Sequence, residues 1–376
     1  HEIKKINEVS INKLFEILQP YINTDNEHFR KKRFPIYAFM PRLLKHVGVG
    51  NSASEIDLTL ENGKQVRTKA ISTLEYVKLE KQAHKTLEIV KVNKDYANRN
   101  YWKTYLNNSS TLFVQLKKIE DQKDGDSFKS FVAEIKQDLD QNKAEKLILD
   151  LRYGGTGNGF KLSGLIDIIQ DSKINSRGSL FVLISGSTKG PLVELTSILE
   201  QSSKAILIGE KTGEGPNSVS DTRYLILMKT GLGVSLTEKY WPSTWSFDSR
   251  ESIAPEIPVI FSYKDYSLNK DPWLEAAINY KAKSIHNPIP PKVSSQLIGK
   301  YQIGSEYLFI KKVGNKIFLK NKKKMGSFFQ LNAELTHADE GIIKSDIVDV
   351  FLDYELDENQ QIETLFLNWK GSRMKL

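Results

Sequence analysis

Between Thr111 and Gly209, short apolar runs alternate with amphipathic stretches, and no other feature of the chain restricts its fold so strongly. Thr111-Leu112-Phe113-Val114-Gln115-Leu116 predicts a strand. Phe128, Phe131, Val132, Ile135 and Leu139 then recur on one helical face, behind Asp126 or Ser127 as the cap. Lys146-Leu147-Ile148-Leu149-Asp150-Leu151 is mostly apolar, as a strand covered on both faces requires. A helix from Leu162 to Ile169, a strand from Ser179 to Ile184, a helix from Leu192 to Glu200 and a strand from Ala205 to Gly209 follow in turn. This order predicts a sheet flanked by helices, so the fold class is α/β.

The flanks have a different pattern. Ile3 and Ile6 precede the turn Asn7-Glu8, and Leu14, Phe15, Leu18 and Tyr21 then fall at helical spacing. Pro35 and Pro41 are expected to interrupt the next apolar stretch, which ends at Gly48. Ile56-Asp57-Leu58-Thr59-Leu60 alternates and runs into a turn at Asn62-Gly63. Residues 65 to 100 are charged and weakly periodic. After Gly215-Pro216 the alternation stops, and Tyr224 to Met228 with Leu232 to Leu236 predict a hairpin. Asp271-Pro272-Trp273-Leu274-Glu275 opens a last helix, and Pro288, Pro290 and Pro291 mark a linker. Short alternating strands beyond it, among them Leu308-Phe309-Ile310 and Lys316-Ile317-Phe318-Leu319, predict an all-β domain of small-barrel type. The expected division is 1–99 mixed, 100–284 α/β and 285–376 all-β. More than one core is the prior for 376 residues.

Composition removes several classes of function. With no cysteine there is no disulfide, thiolate zinc site or cysteine nucleophile. No apolar run approaches the roughly 20 residues of a membrane helix. The histidines are scattered and no carboxylate pair has ligand spacing, so neither a metal nor a cofactor is expected. The formal net charge is +8, partly from Lys311, Lys312, Lys316, Lys320, Lys322, Lys323 and Lys324. Such a cluster admits an anionic surface or nucleic acid as partner. Without interleaved aromatics it reads as a solvated basic face, and no nucleic acid is expected.

The strand ending at Leu151 leads into Gly154-Gly155-Thr156-Gly157-Asn158-Gly159 ahead of a helix. Backbone N–H groups in such a loop can hold an anion or an oxyanion. The spacing is not that of a dinucleotide-binding turn. The bland alternative is a tight turn that needs positive φ.

Here the sequence resembles the tail-specific, or C-terminal-processing, serine peptidases. Asp150-Leu151-Arg152-Tyr153-Gly154-Gly155 is similar to that family's D-L-R-x-N-G-G turn, with Gly154 where the family has asparagine. Gly209-Glu210-Lys211-Thr212-Gly213-Glu214-Gly215-Pro216-Asn217-Ser218 resembles G-E-x-T-G-G-x-P-N. Asn100-Tyr101-Trp102 opens the resemblance. Gly231-Leu232, Tyr240-Trp241, Ile253-Ala254-Pro255-Glu256-Ile257 and Asp271-Pro272-Trp273-Leu274-Glu275 follow in family order. The resemblance implies a crotonase-like peptidase domain and an oxyanion or peptide-binding turn at Gly154 and Gly155. Ile3 to Ile11 resembles the late part of the family's PDZ-like segment. The expectation is therefore a chain that begins inside that domain, with a histidine upstream. The N-terminus shows no signal peptide, and export to the periplasm or cell envelope is implied by the resemblance alone.

The nucleophile is where the sequence departs. The family's T-F-S-S-A positions read Thr188-Lys189-Gly190-Pro191-Leu192, so the catalytic serine falls on Gly190. Glycine has no side chain to attack a carbonyl. Ser187 is the alternative hydroxyl, with Ser185 and Thr188 beside it, and local hydrogen bonding is the plainer role for all three. His28, His46, His84, His286 and His337 lie in no G-D-x-H-T setting. Lys189 and Lys211 match no family lysine. Three functions follow: a degenerate relative that binds extended peptides, an active serine peptidase using Ser187, and an anionic-surface binder.

Overall fold

A computed structural model describes residues 1–72, 75, 99–106, 110–141, 144–281, 287–321, 331–339, 341–347 and 349–376. His84, His286, Lys322, Lys323 and Lys324 lie outside the described residues.

At the N-terminus β1 (Ile3–Ile6), β2 (Val9–Ser10), β3 (Glu55–Leu60) and β4 (Gln65–Lys69) form a sheet in the order β2-β1-β3-β4. Ile6, Ile56 and Leu58 share a core with Leu14 and Leu18 of α1 (Ile11–Leu18) and with Ala38 of α2 (Glu27–Ala38). Pro35 does not interrupt the chain as expected, but lies inside α2. It removes one backbone donor, yet the Phe39 amide still donates to the Pro35 carbonyl at 3.2 Å and the turn is completed. Pro41 opens α3 (Pro41–His46), which ends before Gly48 at φ +76°.

The turn between β1 and β2 places Asn7 at φ 45° and Glu8 at φ 65°, both left-handed. Asn7 is anchored, donating from Nδ2 to the Val49 carbonyl at 3.0 Å and accepting from the Asp57 amide at 2.9 Å. Glu8 is held by an exposed ion pair with Lys5 at 3.5 Å, which is weak against the cost of its Cβ there. Glu8→Gly is expected to stabilise the chain by about 0.5–1 kcal/mol, read as a raised urea midpoint at unchanged slope.

The central sheet has the order β14 (Ile257–Pro258), β11 (Ile206–Gly209), β10 (Leu180–Ile184), β8 (Lys146–Asp150), β6 (Thr111–Leu116), β5 (Tyr101–Tyr105). Only the edge strand β5 runs antiparallel to its neighbour. Successive side chains serve opposite faces. Leu147, Leu149, Val182 and Ile184 pack with α4 (Phe128–Asp140), α5 (Ser163–Asp171) and α6 (Pro191–Ser202). Ile148, Phe181, Leu183, Ile206 and Ile208 pack on the other face with Trp273, Leu274 and Ala277 of α8 (Pro272–Ile278). A short helix, α7 (Tyr263–Ser267), precedes α8. Ser127 supplies the cap of α4, accepting from the Ser130 amide at 3.0 Å.

β12 (Asn217–Leu227) and β13 (Leu232–Pro242) form a two-stranded ribbon. In the proline stretch read as a linker, Pro291 opens a further helix, α9 (Pro291–Leu297), a position where proline's missing N–H costs nothing. Eight sequential strands, Gly299–Ile303 to Ser372–Lys375, then make a nearly closed antiparallel sheet. Trp245, from outside this sheet, enters its core against Trp369. Beside it, Glu200 of α6, its side chain 8% exposed, accepts from Arg250 and from Lys370 Nζ at 2.7 Å, tying the eight-stranded sheet to the central one. Of the clustered lysines, Lys316 pairs with Glu334, and Lys311 and Lys320 lie over the Phe309 and Phe318 rings.

Candidate functional site

The C-terminal ends of β8 and β10 meet the N-terminus of α6. Beneath them, Arg152 is buried between two carboxylates. Its Nε and Nη2 donate to Asp150 at 2.8 and 2.9 Å, and its Nη1 and Nη2 donate to Asp271, both at 2.8 Å. Burial opposes the guanidinium charge, but the two carboxylates more than restore it and hold its pKa well above the ordinary value. Asp271 also caps α8 through the Leu274 amide at 3.1 Å. Gln115 donates to Asp150 at 3.0 Å and accepts from Trp102 at 2.9 Å. The D-L-R and D-P-W-L-E motifs thus form one buried cluster that fixes the turn after β8.

The glycine turn lies flat on a neighbouring backbone. β7 (Lys118–Ile119) runs parallel to β9 (Thr156–Gly157). A Cβ on Gly154 would sit 2.0 Å from the Lys117 carbonyl oxygen, and one on Gly155 would sit 2.0 Å from that of Lys189. Gly155 also has φ +148°. Both positions therefore require glycine. The expected free amide at Gly155 is already committed, donating to the Lys117 carbonyl at 3.0 Å.

The loop Ser185 to Gly190 is fastened to that turn by hydroxyls. Ser185 Oγ donates to the Arg152 carbonyl at 2.8 Å, and Thr188 Oγ1 donates to the Leu151 carbonyl at 2.9 Å. Ser187 is partly exposed, its amide donates to Ser185 Oγ at 3.1 Å, and its own hydroxyl bonds no described residue. Gly190 caps α6 at φ 52°, ψ −133°, and a Cβ there would lie 2.2 Å from the Gly155 carbonyl oxygen. The Gly190 amide donates to Glu214 Oε2 at 2.6 Å. A side-chain carboxylate thus takes the donor that an anion at this helix N-terminus would use. Burial raises the Glu214 pKa, partly offset by that amide. The sequence reading missed Glu214, although its signal was present, since it stands at the last glycine of G-E-x-T-G-G.

Helix α2 closes over this loop. Asn26 caps α2 through the Phe29 amide, while its Nδ2 donates to the Thr212 and Glu251 carbonyls at 3.0 and 2.7 Å. A Cβ on Gly186 would lie 2.6 Å from the His28 carbonyl oxygen. Lys189 Nζ sits 4.7 Å from the centre of the Phe29 ring. His28 thus lies against the site, although its sequence setting gave no sign of it. Burial, then Lys211, lowers its pKa. His46 packs against Tyr21 and His337 lies in the C-terminal sheet, both away from the loop. Among the described residues no three His, Asp or Glu side chains gather as a metal site.

Glu194, in the first turn of α6, lies beside Gly159 and is pushed by burial to about 7. The folded state then binds an extra proton between the ordinary value of 4.5 and about 7, so stability falls as pH rises through that window. Glu194→Gln is expected to raise the melting temperature at pH 8 by roughly 2–4 °C and to change it little at pH 4.5. Thermal scans at the two pH values check this.

Phe160 and Tyr153 stand 58% and 51% exposed beside the glycine turn, and the Phe160 ring meets Trp241 at 5.5 Å. No helix among the described residues is long and apolar enough to cross a membrane.

No family model matches the chain, and no curated protein matches it. Solved structures similar to it include mature CPAF, with TM-score 0.46 at 11% identity over 73% of this chain and 75% of that one. The photosystem II D1 C-terminal processing protease has TM-score 0.32 at 13% identity, over 68% and 62% of the two chains. A putative peptidase from Parabacteroides merdae has TM-score 0.36 at 11% identity, over 72% and 88%. A C-terminal processing protease thus stands among the similar structures. With TM-scores below 0.5, none of these likenesses carries the functional reading.

Proposed function

We propose that this chain is a tail-specific-peptidase-like protein of crotonase type that holds extended peptides without cleaving them. The observation that carries this is Gly190. The position has no nucleophile, its backbone favours glycine, and its amide is taken by Glu214. Loss of the nucleophile removes acyl transfer at that position and leaves the surrounding surface intact. Tyr153 and Phe160 supply exposed aromatic area for an extended segment beside the turn. In this reading the N-terminal sheet is the late part of a PDZ-like segment, and the protein is exported to the cell envelope.

The test uses the whole chain. We expect no labelling by a fluorophosphonate probe and measurable anisotropy change with a pool of fluorescent unstructured peptides. Phe160→Ser should weaken that binding about fivefold, the loss of roughly 1 kcal/mol of aromatic contact. Absence of binding by the folded wild type would sink the proposal.

A second reading is hydrolysis through Ser187, whose hydroxyl bonds no described residue and whose neighbour Gly186 lies against the backbone carbonyl of His28. Labelling that disappears in Ser187→Ala would replace the first reading with this one. The third reading, an anionic partner for the C-terminal lysines, predicts binding to anionic vesicles that weakens steeply with salt.

A further inference from the structure

The stretch from His28 to His46, most of α2 and all of α3, holds six cations, Arg30, Lys31, Lys32, Arg33, Arg42 and Lys45, and no acidic residue. Against a net charge of +8 for the whole chain, this is a strong local excess. Lys31 bonds Glu27 at 2.6 Å and Lys32 bonds Glu210 at 2.7 Å. Arg33 donates to the Asn23 carbonyl at 3.1 Å and lies over the Phe29 and Tyr37 rings. Among the described residues, Arg30, Arg33, Arg42 and Lys45 form no ion pair. Glu27 feels Arg30 only at a distance, and exposed Asp25, just ahead of α2, acts on Glu214.

Arg30 lines a cavity of about 470 Å³ together with Gln19, Asn23 and Thr24. Its Nε is buried and finds no acceptor. A buried donor without an acceptor is costly, and an oxyanion is the acceptor that a guanidinium edge fits. Hydrocarbon stands beside this charge. Ile36, Phe39 and Met40 are 49%, 44% and 41% exposed, and Tyr21, 46% exposed, meets His46 of α3. On α2, Arg30, Arg33 and Tyr37 fall at i, i+3 and i+7. Arg33 and Ile36 start the next row, which Phe39 and Met40 continue past the helix end. The cavity, the arginines and the apolar end of α2 are therefore neighbours on one side of the helix.

We infer that this α2–α3 face docks on an anionic phospholipid bilayer, with lipid phosphates at Arg30, Arg33, Arg42 and Lys45 and with Ile36, Phe39 and Met40 in the boundary between headgroups and acyl chains. Charge complementarity selects the sign of the partner, and the exposed hydrocarbon selects its kind. A free phosphate would satisfy Arg30 and leave the hydrocarbon in water. A nucleic acid would set its phosphates against that hydrocarbon. An anionic bilayer offers phosphates and an acyl boundary at adjacent depths, so that charge and apolar burial both contribute. The surface is separate from the C-terminal lysines, and the inference does not rest on peptide binding.

Co-sedimentation of the full chain with vesicles tests this, using phosphatidylcholine alone and phosphatidylcholine with about a third phosphatidylglycerol. Binding is expected to the second composition and not to the first. Arg42→Gln with Lys45→Gln should weaken it about thirtyfold, at about fivefold for each cation near such a surface. Both positions are exposed, so an unchanged circular dichroism spectrum is expected. Arg30→Gln should weaken binding about fivefold. Lys311→Gln with Lys320→Gln should leave it unchanged. Because the chain has no cysteine, Met40→Cys carries a single environment-sensitive dye, whose emission should shift to the blue on anionic vesicles. A chain that ignores the anionic vesicles overturns the inference, including one that instead binds inorganic phosphate, single-stranded DNA or an acidic protein. So does vesicle binding that survives in the Arg42 and Lys45 double variant, that is lost in the Lys311 and Lys320 one, or that leaves the dye emission unmoved.

Discussion

Gly190→Ser is expected to leave the chain unable to label with a fluorophosphonate and to destabilise it by about 2–5 kcal/mol. The new Cβ would approach the Gly155 carbonyl oxygen to 2.2 Å, and that oxygen belongs to backbone rather than to a flexible side-chain end. The required φ of 52° with ψ −133° adds strain for any L side chain. Gly155 cannot withdraw freely, because its amide is held by Lys117 and its own missing Cβ faces the Lys189 carbonyl at 2.0 Å. Gly190→Ala should lose a similar amount, which separates the backbone effect from any effect of the hydroxyl. Urea denaturation of both variants gives the stability, and probe labelling gives the activity. A folded, labelled Gly190→Ser protein would show that the loop relaxes and that a base is within reach.

The same site shows how far the sequence could be read. Burial on both faces was visible in Leu147 to Leu149, because alternate side chains there are all apolar. The cap at Ser127 and the missing nucleophile at Gly190 were visible as residue types at defined positions. Three features were hidden for physical reasons. Pro35 lies within α2 because tertiary packing outweighs one lost hydrogen bond. The commitment of the Gly155 amide depends on Lys117, far away in sequence, and so follows from strand placement rather than from the turn's own composition. His28 reaches the site through the docking of α2, which Asn26 secures to Thr212 and Glu251 across more than 180 positions. Glu214 is the intermediate case, since its departure from the glycine motif was legible but its aim toward Gly190 was not.

Arg152→Met should be at least as damaging, costing about 3–5 kcal/mol, with much of the loss arising from what it leaves behind. Asp150 is 0% exposed and Asp271 2% exposed, and without the guanidinium neither carboxylate keeps a buried cation to bond. Gln115 and the backbone amide of residue 152 still donate to Asp150, and the Leu274 amide still donates to Asp271, so the groups are not wholly stripped of partners. Those neutral donors do not replace a charge held between two carboxylates. Arg152→Lys tests geometry against charge. It keeps the cation but cannot form the paired bonds to both aspartates, so an intermediate loss is expected. The effect should extend to the site, because the Arg152 carbonyl is the acceptor for Ser185 Oγ and the neighbouring Leu151 carbonyl is the acceptor for Thr188. Hydrogen exchange should therefore quicken at the Ser185 amide, which Thr188 Oγ1 accepts at 2.9 Å, as well as at the Leu274 amide of α8. Quickening confined to α8 would mean that the motif holds the helix alone and that the loop carrying Gly190 is fixed by other contacts.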